Sequence, residues 1–242
     1  MKSVSPKLFA FDLDGTLTQH KTPLSKENRA VLQKLSKKAQ LCMVGAGMCR
    51  RIFDQMGHFP INIIGNYGMQ TAVYNSTVKD IEITANMKVP VERDSVEHRV
   101  TELRKRYGYT EFKGDNVEYH SSGCITFPLL GTKADQKDKL VFDPDRKKRR
   151  AFLSEVKKLF PEYTVFVGGS SSFDMAPKPY NKYYALSRYC AERGILHSEV
   201  VFVGDDYGEG GNDESVYLSD FGFLKIDNYL DFPEIMKKYT EE

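Results

Sequence analysis

The 242-residue sequence has no tryptophan, only four cysteines, no run of 18 apolar residues and almost no net charge, with 35 Lys and Arg against 33 Asp and Glu. Each shortage excludes a class of protein. Without a long apolar run there is no membrane-spanning helix, and the charged stretch Met1 to Lys7 has no apolar segment behind it to read as an export signal. Cys42, Cys49, Cys124 and Cys190 are scattered with no C-x-x-C pair, which argues against a zinc site and a disulfide framework and leads us to expect a reducing cytoplasm. A formal charge of +2 supplies no field to steer the chain to nucleic acid or a membrane surface. What is present, 40% hydrophobic and 12% aromatic residues, suffices for the core of one large domain or two small ones.

The pattern along the chain begins as α/β. Leu8 to Phe11 reads as a buried strand that opens into Asp12-Leu13-Asp14-Gly15-Thr16-Leu17-Thr18, and Ser25 caps a helix over 26–35. A strand at 41–44 leads into Gly45-Ala46-Gly47, a helix runs over 49–56, and a third strand spans 61–64. From about residue 84 the order becomes αββαββ: a helix at 94–107, strands at 117–121 and 124–130, a Lys/Arg-rich helix at 146–160, then strands at 164–167 and 171–175. The α/β pattern returns with a helix at 182–192 and a strand at 200–203. These spans predict an α/β fold: a doubly wound, Rossmann-like parallel sheet formed by residues 1–84 and 181–242, interrupted by an α+β module over 85–180. In such a sheet ligands lie beyond the carboxyl ends of the strands, where Asp12 and Gly45 both fall.

Asp12 and Asp14, at i and i+2 on a strand exit, can face one pocket, where their mutual repulsion favours a hard divalent cation with oxygen ligands, Mg2+ above all. With its charge masked, Asp12 can attack phosphorus, and Asp14 can give and take the proton. Turn and capping residues are the bland alternative for both, as they are for the acidic loop Gly204 to Asp213, where Asp205 is the leading metal ligand and Asp206, Asn212 and Asp213 are further candidates. Lys182, at the start of a helix, could hold a transferring phosphoryl group, although a lone lysine is ordinarily surface charge. The five histidines show no ligand spacing, and only His20 lies near the motif in sequence.

Taken in order, Asp12-Leu13-Asp14-Gly15-Thr16, the loop at Gly45, Lys182 and Gly204-Asp205 resemble the haloacid dehalogenase-like superfamily of phosphotransferases over nearly the whole chain. The insert resembles a type IIB cap. Within it, Gly168-Gly169-Ser170-Ser171-Ser172-Phe173-Asp174, together with the Gly204 to Asp213 loop, is similar to the eukaryotic-type phosphomannomutases. The resemblance implies Asp12 as nucleophile and Asp14 as acid/base. It implies Mg2+ on the carboxylates of Asp12 and Asp205 and the backbone carbonyl of Asp14, and Ser172 and Asp174 as substrate contacts.

Two departures bear on the acceptor. Gly45 stands where the superfamily usually has a Ser or Thr hydroxyl, so backbone N–H groups around Gly45 and Ala46 must bind phosphate. Where phosphomannomutases carry arginines for the second phosphate, this sequence has Lys21, Ser121, Thr132 and Lys139, and a lysine is a point charge without the bidentate fork. The basic stretch from Lys133 to Arg150 could replace them but reads first as a solvated helix face. The expectation is therefore a Mg2+-dependent phosphatase of a small sugar phosphate, with a phosphomannomutase as the alternative and a non-catalytic sugar-phosphate binder as a remote one. A small phosphorylated substrate is the expected partner, with a homodimer through the cap as a further possibility.

Overall fold

The computed structural model describes residues 5–241. The chain opens with β1 (Leu8–Phe11), α1 (Lys26–Leu35), β2 (Gln40–Val44), α2 (Cys49–Gln55), β3 (Asn62–Gly65), β4 (Gln70–Asn75) and β5 (Asp80–Asn86). It continues through α3 (Arg93–Tyr107), β6 (Glu118–Tyr119), β7 (Ile125–Pro128), α4 (Gln136–Phe142), α5 (Lys147–Arg150), α6 (Leu153–Leu159), β8 (Tyr163–Phe166) and β9 (Ser172–Pro177). It closes with α7 (Lys182–Arg193), β10 (Val200–Gly204), α8 (Glu214–Tyr217), β11 (Gly222–Lys225) and α9 (Phe232–Thr240). Two compact units result. The first comprises the residues up to Asn86, Asn181–Gly208 and those from Asp213, and the second comprises Met87–Tyr180 with Glu209–Asn212. Four residues of the acidic glycine-rich loop thus group with the second unit, although the strand preceding them belongs to the first.

The first unit holds a seven-stranded sheet in the order β11-β10-β1-β2-β3-β4-β5. Its first five strands are parallel, as the α/β reading predicts for β1, β2, β3 and β10 and does not predict for β11; the pairs consecutive in the chain, β1–β2, β2–β3 and β10–β11, are each joined by a helical crossover. Alternation along β1 builds both faces. Phe9 and Phe11 pack with Leu32, Leu35, Phe53 and Met236, while Leu8 and Ala10 pack with Val44, Ile64, Leu186 and Cys190. A strand buried on both sides must be apolar throughout, which is why Leu-Phe-Ala-Phe shows no polar position. The chain runs outward from β1 through β2 to β3, then returns to the other side of β1 as β10. This reversal puts the carboxyl ends of β1 and β10 side by side at the sheet's switch point.

The antiparallel hairpin β4–β5 extends the sheet beyond β3 and was not predicted. Its outer strand leaves Ile83 exposed at 46% while burying Ile81, so the usual contrast between apolar and polar positions is blurred. The turn is formed by Asn75, whose Oδ1 accepts from the amide of Thr77.

The second unit has a four-stranded antiparallel sheet, β6-β7-β9-β8. Val96, Val100 and Leu103, spaced at helical period on α3, pack with Phe127, Phe152, Phe160 and Phe173. The basic segment predicted as one helix is instead broken into α5 and α6, and the break turns Arg149 inward, where it is fully buried. Reading that residue as part of a solvated face is therefore corrected. Arg149 Nε donates to Asp143 Oδ2 at 2.8 Å, and Nη1 donates to the carbonyls of Gly168 at 2.6 Å and Ser172 at 3.0 Å. Burial pushes the Asp143 carboxyl up, but donation from Arg149 and the amides of Lys148 and Arg149 outweighs it and holds the group below its ordinary range. Arg149→Met would leave a buried carboxylate unpaired, at a cost of about 3–5 kcal/mol. Calorimetry should show the second unit's transition lowered by at least about 10 °C, and an unchanged transition would contradict that role.

Candidate active site

Asp12 follows β1 directly, and its amide extends the sheet by donating to Val203 O at 3.0 Å, so its side chain leaves at the switch point. The next residues form a tight loop between the buried anchors Leu13 and Leu17. Gly15 in that loop has φ +98°, and a Cβ there would lie 2.3 Å from Asp205 Oδ2, so only glycine lets the two strand ends approach. Thr16 Oγ1 completes the contact by donating to Asp205 Oδ1 at 2.9 Å. Across the switch point, Asn181 caps α7 by accepting from the amide of Tyr184 at 2.8 Å. The helix then places Lys182 in the interior with no exposed surface, its Nζ donating to Asp12 Oδ1 at 2.5 Å and Asp213 Oδ1 at 2.7 Å.

Asp12, Asp205 and Asp213 each present a carboxylate oxygen within 4.8 Å of the others. Two buried carboxylates and the half-buried one of Asp205 against one lysine leave excess negative charge, and the titration behaviour reflects it. Burial raises the Asp12 carboxyl well above its usual range, with Asp213 and Asp205 adding to the rise and Lys182 opposing it. Asp205 is pushed up to about 6 by burial and by Asp213. Burial alone would lower the Lys182 ammonium, but Asp12 and Asp213 outweigh it and hold it above its ordinary value. A hard divalent cation would relieve this excess, and the all-oxygen donor set suits Mg2+. Asp213 differs from the other two: its Oδ1 accepts from Lys182 and its Oδ2 from the amide of Asp206 at 3.1 Å, which places it behind the lysine. Among the described residues, nothing donates to the remaining oxygens of Asp12 and Asp205.

The carboxylate of Asp14 lies outside this cluster. Its Oδ1 accepts from Gln55 Nε2 at 2.7 Å and from the amide of Lys21 at 2.8 Å, and its Oδ2 faces Arg51 Nη1 at 3.3 Å. Burial pushes Asp14 up, but these donors prevail and the carboxyl sits below its ordinary range. Gln55 and Arg51 were missed in the sequence, where an Arg and a Gln at i, i+4 on α2 look like an ordinary exposed pair.

The loop after β2 also differs in detail from expectation. The amide of Gly45 is taken by Ile64 O at 2.9 Å and that of Cys49 by Gln70 Oε1 at 2.8 Å. Between them, the amides of Ala46, Gly47 and Met48 have no acceptor among the described residues, so these three, rather than Gly45 itself, offer N–H groups to an anion. The other predicted residues belong to the second unit. Ser172 Oγ donates to Gly168 O at 3.2 Å, Lys139 Nζ to Thr132 O at 3.2 Å, and Asp174 accepts from Thr126 Oγ1 at 3.0 Å while burial raises its carboxyl.

Comparison with known proteins adds to this geometry. A family model described as haloacid dehalogenase-like hydrolase matches residues 9–213. The chain is 26% identical over 224 residues to a protein of Saccharomyces cerevisiae named phosphomannomutase, covering 88% of this chain and 85% of that protein. It is 25% identical over 265 residues to a phosphomannomutase of Spinacia oleracea, covering 99% and 97%. Among solved structures, a haloacid dehalogenase-like hydrolase from B. subtilis superposes with TM-score 0.63 at 15% identity, covering 98% of this chain and all of that one. An IMP-nucleotidase of Plasmodium falciparum superposes with TM-score 0.67 at 15% identity, covering 96% and 67%. At that identity the two structures speak for the fold alone. No described helix is long and apolar enough to cross a membrane.

Proposed function

Because the chain belongs to the haloacid dehalogenase-like hydrolase family, we propose that it transfers phosphoryl groups through an aspartyl-phosphate on Asp12, with a hexose phosphate as both donor and acceptor in the manner of a phosphomannomutase. The observation that carries the reading is the cluster of Lys182 between Asp12 and Asp213 with Asp205 alongside, at the switch point of the parallel sheet. Two relatives matched over 85% and 97% of their own lengths bear that name, and they favour sugar over water as acceptor.

Bound by the carboxylates of Asp12 and Asp205 and the backbone carbonyl of Asp14, Mg2+ would supply charge neutralisation at the attacking carboxylate and the phosphoryl oxygens. The amides of Ala46, Gly47 and Met48 and the ammonium of Lys182 hold the phosphoryl oxygens and offset the charge that develops on them. With Asp12 already phosphorylated by a bisphosphorylated sugar, a hydroxyl of the hexose phosphate, its proton taken by Asp14, attacks the aspartyl-phosphate and regenerates Asp12. A free oxygen of Asp12 then attacks the other phosphate of the bisphosphate so formed as the bond to its sugar oxygen breaks, and Asp14 returns the proton to that oxygen. Gln55 and the amide of Lys21 fix the direction of Asp14 during both proton transfers.

Hydrolysis is the second reading. It is favoured by Lys21, Ser121, Thr132 and Lys139, which put no guanidinium where the resemblance calls for one. The two separate in one assay: mannose 1-phosphate with Mg2+ and a trace of glucose 1,6-bisphosphate, following mannose 6-phosphate and orthophosphate together. Isomerisation is expected to exceed phosphate release. Release outrunning isomerisation by more than about 10-fold, a barrier difference of roughly 1.4 kcal/mol, would turn the assignment to hydrolysis. Absence of both products would sink both readings.

A further inference from the structure

Side chains alternate along β7 and β9. Ile125, Phe127, Phe173 and Met175 pack in the second unit's core, so Thr126 and Asp174, which oppose each other in register, lie on the other face of the sheet. The carboxylate of Asp174 is only half satisfied there. Its Oδ1 accepts from Thr126 Oγ1 at 3.0 Å, and among the described residues nothing donates to Oδ2. A Cβ on Gly168 would collide with Oδ2, so only a glycine at 168 leaves that oxygen open. Gly168 is kept in place by its carbonyl, which accepts from Arg149 Nη1 at 2.6 Å and from Ser172 Oγ at 3.2 Å. A polar pair that served the sheet alone would satisfy both carboxylate oxygens, whereas this one keeps an acceptor for a ligand hydroxyl.

Behind Thr126 stands His120. It follows β6 on the same face as Glu118, the register partner of Thr126, and its amide donates to Cys124 O at 3.0 Å in the turn that joins β6 to β7. Its Nε2 lies 3.1 Å from Thr126 Oγ1. The threonine hydroxyl has one hydrogen, and Asp174 receives it. Oγ1 therefore has only lone pairs to offer the ring, and Nε2 must carry the hydrogen that joins them. Donor and acceptor roles are thus fixed along one line, from His120 through Thr126 to Asp174, and donation from the ring makes the hydroxyl a stronger donor to the carboxylate. Burial raises the Asp174 carboxyl, and the bond from Thr126, followed by the imidazole of His120, opposes that rise.

Resting on the reading that a hexose phosphate is the substrate and that Asp174 meets it, we propose that His120 is a positioning residue for the sugar. Acting through Thr126, it holds Asp174 so that Oδ2 accepts from a sugar hydroxyl, and so favours hexose phosphates over phosphate alone.

The test is calorimetric titration of Asp12→Asn protein with Mg2+, with mannose 1-phosphate and orthophosphate as probes. Asp174→Ala should weaken the sugar phosphate by roughly 10- to 100-fold, the worth of hydrogen bonds to a charged group, and leave orthophosphate within about 2-fold. Thr126→Val and His120→Phe should each weaken the sugar phosphate alone, by about 3- to 10-fold. Conservative variants separate positioning from packing. Thr126→Ser keeps the hydroxyl and His120→Gln carries an N–H at the reach of Nε2, so both should stay within about 2-fold of the parent, while His120→Asn, whose amide is too short, should match His120→Phe. With Asp12 restored, His120→Phe should raise KM for the sugar phosphate and leave kcat within about 2-fold, as expected for binding lost equally from ground and transition states. Loss of sugar affinity in Asp174→Ala but not in Thr126→Val and His120→Phe overturns the proposal, as do equal losses for both probes or no rescue by His120→Gln. An unaffected Asp174→Ala also overturns it, by removing the contact on which it rests. The isomerisation assay on wild-type protein reads phosphoryl transfer independently, so failure of that reading and failure of the His120 line are told apart.

Discussion

Asp12→Asn should abolish phosphoryl transfer, lowering kcat by about 10^4-fold or more, while leaving the melting temperature in the absence of Mg2+ unchanged or slightly raised. The first half follows from nucleophilic catalysis, since an amide cannot form the aspartyl-phosphate and removal of a nucleophile commonly costs the whole of the covalent route. The second half follows from the electrostatics. The Asp12 carboxyl is raised by burial and by two neighbouring carboxylates, so its ionised form costs stability at neutral pH, and a neutral isostere of the same shape can still accept from Lys182. The stabilisation by Mg2+ should shrink together with the activity, because one of the cation's carboxylates is gone. Wild-type protein with 10 mM Mg2+ and a dissociation constant near 1 mM would gain about 1.4 kcal/mol. Measured side by side, retention of more than about 1% of wild-type turnover would remove Asp12 as nucleophile. A large fall in melting temperature would instead attribute the lost activity to unfolding.

These expectations rest on features of unequal visibility in the sequence. Asp12 to Leu17 could be read because an apolar strand must end somewhere, and a strand that ends in fixed acidic and glycine positions has a local signature that needs no tertiary information. Four of the five parallel strands, β1, β2, β3 and β10, followed from the same logic, with hydrophobic period and crossover length dictating the topology, whereas β11, half-exposed at the edge, was not read. Lys182 carried no signature of its own, since a lysine at a helix start is usually solvated. Only its position between the insert and the Asp205 loop selected it, and the structure supplies the two carboxylates that make its burial tolerable. Asp213 lies eight residues past Asp205, beyond four residues that group with the other unit, so its return to the cluster depends on how the loop closes.

What could not be read was set by contacts distant in sequence or disguised by composition. Arg149 sits in Lys-Lys-Arg-Arg, where charge density argues for solvent, yet the break between α5 and α6 turns it onto Asp143 and the carbonyls of the 168–172 loop. Arg51 and Gln55 form an ordinary i, i+4 pair until Asp14 is brought against them from 37 and 41 residues away. The β4–β5 hairpin was missed because an edge strand keeps only part of the alternation that marks a strand. Its neighbour β3, buried and apolar, was recognised to within a residue at each end.

Lys182→Met should be the most destabilising single change in the first unit, and its cost should depend on pH and on Mg2+. Replacing the ammonium leaves Asp12 and Asp213 buried and facing each other without a cation, a situation that costs about 3–5 kcal/mol at pH 7. The sign of the pH dependence follows from the raised carboxyls. A group whose folded-state pKa exceeds its unfolded value binds protons more tightly when folded, so its ionised form costs stability above the folded pKa and the cost disappears as pH falls through it. For Asp205 that midpoint is about 6 in the wild type, and loss of Lys182 removes a charge that holds both it and Asp12 down. The difference in melting temperature between Lys182→Met and wild type should therefore narrow from pH 8 to pH 5, and at pH 8 Mg2+ should recover part of it by restoring positive charge to the cluster. Turnover should stay depressed by about 10^3-fold even with Mg2+ present, because the donor that meets the phosphoryl oxygens is not replaced. A difference that is flat with pH and indifferent to Mg2+ would mean that packing around the lysine stem, and not its charge among three carboxylates, is what holds this part of the core together.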